Sequence, residues 1–211
     1  MIKIPTLYED DDIIVISKPH GLHTVEDRYG VETETVRGIM NERFGRTFIV
    51  HRLDAGTGGV LVVAKTPEAH KILCAQFENG TVAKEYYAVV CGRFDSAISV
   101  MLPIASANHG KYKINFKSGK KAITTFLPER SGETSLVRVI PFTGRTHQIR
   151  VHLKALKHPL LNDYVYNKEI STDKRLTLFA SSLSFMRPDG RDVTIEAELS
   201  DYMKAAIEGI K

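Results

Sequence analysis

Apolar and polar positions alternate over the first residues, and the chain then reads DDIIVISKPHGL. Ile13 to Ile16 form a strand-like run that Lys18-Pro19 and Gly21 stop. Over residues 32–44 the spacing becomes helical, with Val36, Ile39, Met40 and Phe44 on one side and Gly45 as terminator. Phe48 to Val50 and Val60 to Val63 read as short strands on either side of the turn-rich HRLDAGTGG. Thr66-Pro67-Glu68 begins a helix, because a capping hydroxyl precedes a proline at the first helical position. That helix runs to about Asn79, with Ala69, Ile72, Leu73 and Phe77 on its expected buried face and Gly80 behind it. VAKEYYAVVCG is a strand by its β-branched and aromatic content, so Lys84, Tyr86 and Ala88 share one face. Residues 98–140 read as several strands joined by turns. A helix is expected from Thr146, with Ile149, Leu153 and Leu156 inward, ended by His158-Pro159. Strands at about 176–185 and 191–197 follow, then a last helix after Ser200. Strands outnumber helices and do not alternate with them regularly, which predicts an α+β domain around a large, mostly antiparallel sheet.

Composition adds little to this picture. The chain has 211 residues, 43% hydrophobic and 26% charged, as in an ordinary globular protein able to bury a core without disulfides or metal. A net charge of +4 permits an anionic partner without demanding one, so the placement of the charges decides. Cys74 and Cys91 stand alone in apolar runs, which suits core filling and offers neither a disulfide framework nor a metal knuckle. No run approaches the ~18 apolar residues of a membrane span. No secretory stretch opens the chain, so a reducing cytoplasm is the expected location.

Four segments carry candidate chemistry. In His51-Arg52-Leu53-Asp54, followed by Ala55-Gly56-Thr57-Gly58-Gly59, a carboxylate sits between an apolar strand and a glycine-rich turn. A turn-forming aspartate outranks a catalytic one on spacing alone. In Gly144-Arg145-Thr146-His147-Gln148-Ile149-Arg150, two arginines crowd a helix start, where cations are disfavoured. An anionic partner and a solvated basic face explain them equally well, and His147 reads as a structural hydrogen-bonding group. On the 83–91 strand, Tyr86 and Tyr87 point to opposite faces, so one can pack inward while the other lines a cleft beside Lys84. Finally, Lys111, Lys113, Lys117, Lys120 and Lys121 interleave with Tyr112 and Phe116, a pattern suited to phosphate neutralisation and base stacking. An edge strand guarded by lysines is the alternative.

Together these segments resemble the RluA-type family of RNA pseudouridine synthases. HRLDAGTGG, KEYYAVVCG, GKKAITTF, GRTHQIRVHL, HPLLNDYVY and the early KPHGL match its motifs in the family's order, over roughly residues 8–200. Gly58 stands where the family usually has serine, Asn162 where it has glycine, and Phe179 where histidine is common.

The resemblance implies the pseudouridine synthase fold, a large mixed, mostly antiparallel sheet flanked by helices around a central catalytic cleft. It implies one catalytic domain over 1–211 without a separate N-terminal RNA-binding domain. Asp54 would be the catalytic carboxylate, Arg150 its charge partner, and Tyr86 the ring that stacks on uracil. Arg52 would fill the gap left by the flipped base. His51, Thr57, Lys84 and Arg145 join Lys113 and Lys120 on the RNA-binding side. The isomerisation needs no redox change or energy input, so neither cofactor nor metal is expected. The expected partner is a structured RNA, ribosomal or transfer, acted on by a monomer without an obligate protein partner. Two other readings compete. The DAGTGG loop looks like the phosphate loop of actin-like ATPases and sugar kinases, although no second such loop is present. A catalytically idle RNA-binding domain is the other.

Overall fold

The computed structural model describes residues 2–26, 34–167 and 175–211. In chain order the elements are β1 (Thr6–Glu9), β2 (Ile13–Lys18), α1 (Val36–Phe44), β3 (Phe48–Ile49), β4 (Gly58–Ala64), α2 (Pro67–Asn79) and β5 (Ala83–Cys91). Then come β6 (Ile98–Val100), β7 (Ile104–Ser106), β8 (Tyr112–Ile114), β9 (Thr124–Arg130), β10 (Thr134–Pro141), α3 (Gln148–Ala155), β11 (Leu178–Met186), β12 (Asp192–Glu196) and α4 (Asp201–Glu208). Residues 32 and 33, the expected start of the first helix, lie outside the described residues.

The chain divides into two compact units. The first comprises Met1–Ala83 and Ala180–Glu198, the second Lys84–Phe179 and Leu199–Lys211. In the first, β2 pairs antiparallel with β1 on one edge and with β4 on the other, and β3 also pairs with β4. The β-branched run Ile13–Ile16 and all of β4 are buried. Near-continuous burial of this kind is what reads in sequence as unbroken apolar runs. Local chemistry fixes α2 as expected. Thr66 Oγ1 accepts from Ala69 N–H at 3.2 Å, Pro67 takes the first turn, and Gly80 closes the helix at φ 71°. Ala69 and Leu73 are buried, but Ile72 is exposed, contrary to the expected face. The apolar stripe is therefore narrower than its sequence suggests.

In the second unit β5, β10, β9 and β6 pair antiparallel in that order, and β7 and β8 form a separate hairpin. Ala88, Val90, Phe126, Val137 and Val139 point from the strands into a core that α3 covers with Ile149 and Leu153. Leu153 and Phe126 are wholly buried, and each such side chain is worth roughly 1.5–3 kcal/mol. Helix α3 begins at Gln148 rather than Thr146. His147, at φ 56°, occupies a left-handed position that breaks the helix before it. Arg145 is consequently in the preceding turn, and only Arg150 of the two arginines is helical. Cys74 and Cys91 are half-buried, not core, because each lies at the margin of its element's apolar face. Helix α4 follows its Ser200 cap as expected.

Candidate active site

The 51–57 segment has no regular structure, yet main-chain contacts hold it tightly. Lys18, only 1% exposed, sends its ammonium to three carbonyls: Leu22 at 2.8 Å, Pro19 at 2.9 Å and Ala55 at 3.1 Å. Gly21 N–H donates to the same Ala55 carbonyl at 2.8 Å. Thr24 Oγ1 donates to Leu53 O at 2.9 Å. A turn closes where Thr57 N–H donates to Asp54 O at 3.0 Å. Asp54 is half-buried on this loop, and Arg52, two residues earlier, is exposed. Burial pulls the Lys18 ammonium down to about 7, while the charge of nearby Asp54 acts in the opposite direction.

His51 and Thr57 serve the loop's own structure. The His51 ring stacks on Phe77 with centroids 4.4 Å apart, and its Nε2 accepts from Val62 N–H at 3.2 Å. Thr57 is 2% exposed. The glycines are also occupied. A Cβ on Gly58 would lie 2.6 Å from the His20 ring, and one on Gly59 would run into the Ala180 main chain. Close packing of ring and backbone fills the space that an open phosphate cradle would need, which removes the support for the phosphate-loop reading.

In the second unit Arg150 is 2% exposed and forks onto Asp163, with Nε to Oδ2 and Nη2 to Oδ1 both at 2.9 Å. Asp163 is itself held by the N–H groups of Val165 and Tyr166, each 3.0 Å from Oδ1. The guanidinium also lies 5.1 Å from the Tyr166 ring and 5.6 Å from Tyr164. Gln148, buried at the helix start, locks the approach. Its Oε1 accepts from Thr143 Oγ1 at 2.7 Å and Arg145 N–H at 3.0 Å, and its Nε2 donates to Ile123 O at 3.0 Å. His147 Nδ1 is 2.8 Å from the Tyr166 hydroxyl.

Tyr86 lies on β5 opposite Val139 and packs partly against the core. Glu85 on the other face pairs with Arg138 at 3.7 Å, so the alternation expected along this strand is present. Lys84 is half-buried, and among the described residues it makes no hydrogen bond or ion pair. Desolvation lowers its ammonium from the ordinary lysine value. Lys113, Lys120 and Arg145 are exposed, and Arg145 Nε donates to Lys121 O at 3.0 Å. Main-chain bonds between Ile104 and Lys120, at 2.8 and 3.0 Å, bring the 111–121 stretch to the β7–β8 hairpin. Of the two aromatics there, Phe116 is 77% exposed, whereas Tyr112 packs on Ile104, Ala122, Val151 and Tyr166. The stacking surface expected from both rings therefore reduces to Phe116.

Lys18 and Asp163 received no role from sequence reasoning although both lie inside recognised motifs. The available signal was a lysine closing an apolar strand and an aspartate just after the apolar Leu160-Leu161 pair, each a charge in a buried context. The other departures are structural substitutions. Asn162 Nδ2 donates to the Tyr202 hydroxyl at 2.6 Å, tying this segment to α4, and Phe179 is buried in β11. Among the described residues no helix is long and apolar enough to cross a membrane.

The model of a family described as RNA pseudouridylate synthase matches residues 12–155. A Vibrio parahaemolyticus protein named dual-specificity RNA pseudouridine synthase RluA is 36% identical over 193 residues, covering 86% of this chain and 77% of that one. Its Escherichia coli namesake is 36% identical over 199 residues, covering 90% and 91%. A Borreliella burgdorferi ribosomal large subunit pseudouridine synthase D is 36% identical over 195 residues, covering 86% of this chain and 60% of its own length. Among solved structures, human RNA pseudouridylate synthase domain containing 1 aligns with TM-score 0.80 at 24% identity, over 97% of this chain and 87% of that one. The fold is thus the α+β pseudouridine synthase fold with a large mixed sheet and flanking helices, as the sequence predicted. The chain belongs to the RNA pseudouridylate synthase family, and it is an isomerase that makes pseudouridine in RNA.

Proposed function

We propose that Asp54 is the carboxylate of this isomerisation and that the substrate is a uridine in a ribosomal or transfer RNA stem-loop. The bond from ribose to base nitrogen breaks, uracil turns over, and a bond to carbon 5 replaces it. The carbon-5 proton then leaves and the freed base nitrogen takes one up, so substrate and product are isomers and atoms balance without cofactor or metal. Asp54 attacks ribose or ring, or takes a ribose proton. The observation that carries this reading is its setting. A half-buried carboxylate stands on a glycine-rich loop whose main chain Lys18, Gly21 and Thr24 hold in place. Arg150 keeps the role of charge partner that the resemblance gives it, supported by its burial within α3. Tyr86 stacks on the uracil and assists the later proton transfer.

A stacked uridine must be flipped out, which costs a few kcal/mol, and Arg52 fills the vacancy. Its exposure two residues before Asp54 supports that role. Lys113, Lys120 and Arg145 hold the RNA backbone, supported by their exposure on the second unit. Lys84 receives a phosphate or base oxygen, as expected of a half-buried ammonium without a protein partner among the described residues. His51 and Thr57 act on RNA indirectly, by shaping the loop. The family match runs from the first unit into the second, which supports reading 1–211 as one catalytic domain. We place the enzyme in the cytoplasm as a monomer.

A relative named for the ribosomal large subunit supports ribosomal RNA as a target, and relatives named dual-specificity support more than one kind of RNA target. Pseudouridines mapped across total RNA in cells carrying the gene, lacking it, or carrying Asp54→Asn test the proposal. One or more sites in ribosomal or transfer RNA should vanish in the last two alike. Unchanged maps would reject these targets, and sites kept by Asp54→Asn would reject its role.

A further inference from the structure

Gly58 opens β4 with a backbone that any residue adopts, since it is not among the glycines at positive φ. Its need for glycine is one of space. An added Cβ would meet His20 Cδ2 and Nε2, both at 2.6 Å. The same imidazole donates from Nδ1 to the Gly56 carbonyl at 2.8 Å, a bond that requires the proton on Nδ1 because a carbonyl only accepts. His20 therefore stands as a wedge against two alternate residues of the loop that begins at Asp54. The neighbouring contacts run the same way, from Lys18 and Gly21 to Ala55. Residues 18–21 are in effect a template laid along 55–58.

We propose that His20 is a positioning residue for Asp54: its ring fills the space over Gly58 and holds the Gly56 carbonyl, fixing the turn that presents the carboxylate. Without the Nδ1 donor the Gly56 peptide can rotate, and the 54–57 turn moves with it. A displacement near 1 Å costs up to ~100-fold in rate. The inference rests on the reading that Asp54 is catalytic.

The test is a mutant cycle on the full chain, with tritium release from carbon-5-labelled uridine RNA and urea midpoints measured on each protein. His20→Ala should lower kcat about tenfold with KM within about threefold. His20→Asn should recover most of that loss, because its amide N–H reaches the Gly56 carbonyl. Gly58→Ser should also cost about tenfold, since the new side chain displaces the ring. On the His20→Ala background the space is open, and the same serine should cost less than about twofold. Additive losses, or an unchanged kcat in His20→Ala, would overturn the proposal. So would equal activity of His20→Asn and His20→Ala. Were Asp54→Asn fully active, the catalytic reading would fall and the positioning role with it. The coupling of His20 and Gly58 in the urea midpoints would then still decide whether the wedge exists.

Discussion

The two charged centres of this enzyme are held in opposite ways. Around Asp54 the protein spends main-chain contacts. Lys18, His20, Gly21 and Thr24 bind carbonyls of residues 53–56 and leave the carboxylate half-buried. Around Arg150 it spends a dedicated counter-ion, forking a fully buried guanidinium onto a buried carboxylate that two N–H groups hold in turn. The difference separates stability from chemistry. A buried ion pair tolerates the loss of neither partner, because the survivor is left as an uncompensated charge. A loop pinned by its main chain tolerates a change in the side chain that it presents.

The contrast breaks most sharply at Asp163. Asp163→Ala should destabilise the protein by about 3–5 kcal/mol by stranding Arg150, measured as a fall in the urea midpoint. A shift under about 1 kcal/mol would put the pair in the ordinary surface class and dissolve the comparison. Arg150→Ala carries the same liability, so its loss of activity is interpretable only beside its folding. Arg150→Lys, which keeps the charge and loses the fork, is the better probe.

Next in size is Lys18→Met, which takes the ammonium from the Pro19 and Leu22 carbonyls, leaves Ala55 O with Gly21 N–H alone, and should cost about 2–3 kcal/mol. Its pH dependence sharpens the point. In the folded state Lys18 gives up its proton near 7, while the unfolded chain holds it to the ordinary value of 10.5. Between these values the unfolded state binds more protons, so this group's contribution to stability grows as pH rises through that window and shrinks again as pH falls towards 7. The difference in stability between wild type and Lys18→Met should therefore widen from pH 7 to 9.5. A difference independent of pH would show that Lys18 keeps its charge throughout.

The smallest effect belongs to the exposed lysines. Lys120→Ala should leave the urea midpoint within about 0.5 kcal/mol of wild type. RNA affinity should fall, and the salt dependence should lose about one unit of slope. An unaltered salt slope would move Lys120 out of the RNA contact.

Much of the scaffold could be read from the sequence because its signals are local. Thr66-Pro67 and Gly80 bound α2, Ser200 caps α4, and the β-branched runs of β2, β4 and β5 lie where their pattern puts them. The site was legible as motifs and not as contacts. Nothing adjacent to Lys18 announces that its ammonium will meet Ala55, 37 residues away. Arg150 and Asp163 are separated by 13 residues and by the end of a helix. Gly58 looked like a departure from the family pattern. Only the path of residues 18–21 shows that His20 occupies the space, so the exchange is a repacking across a contact distant in sequence. Ile72 and Tyr112 fail for the converse reason, since which apolar side chains are covered depends on the neighbours that arrive from elsewhere.

The most direct test of the central claim is Asp54→Asn, an exchange of nearly equal size that removes the charge and leaves the main-chain contacts in place. Tritium release and RNA binding should be measured on the same preparation. No release should be detectable, with RNA affinity and urea midpoint close to wild type. Release at the wild-type rate would contradict the central claim outright.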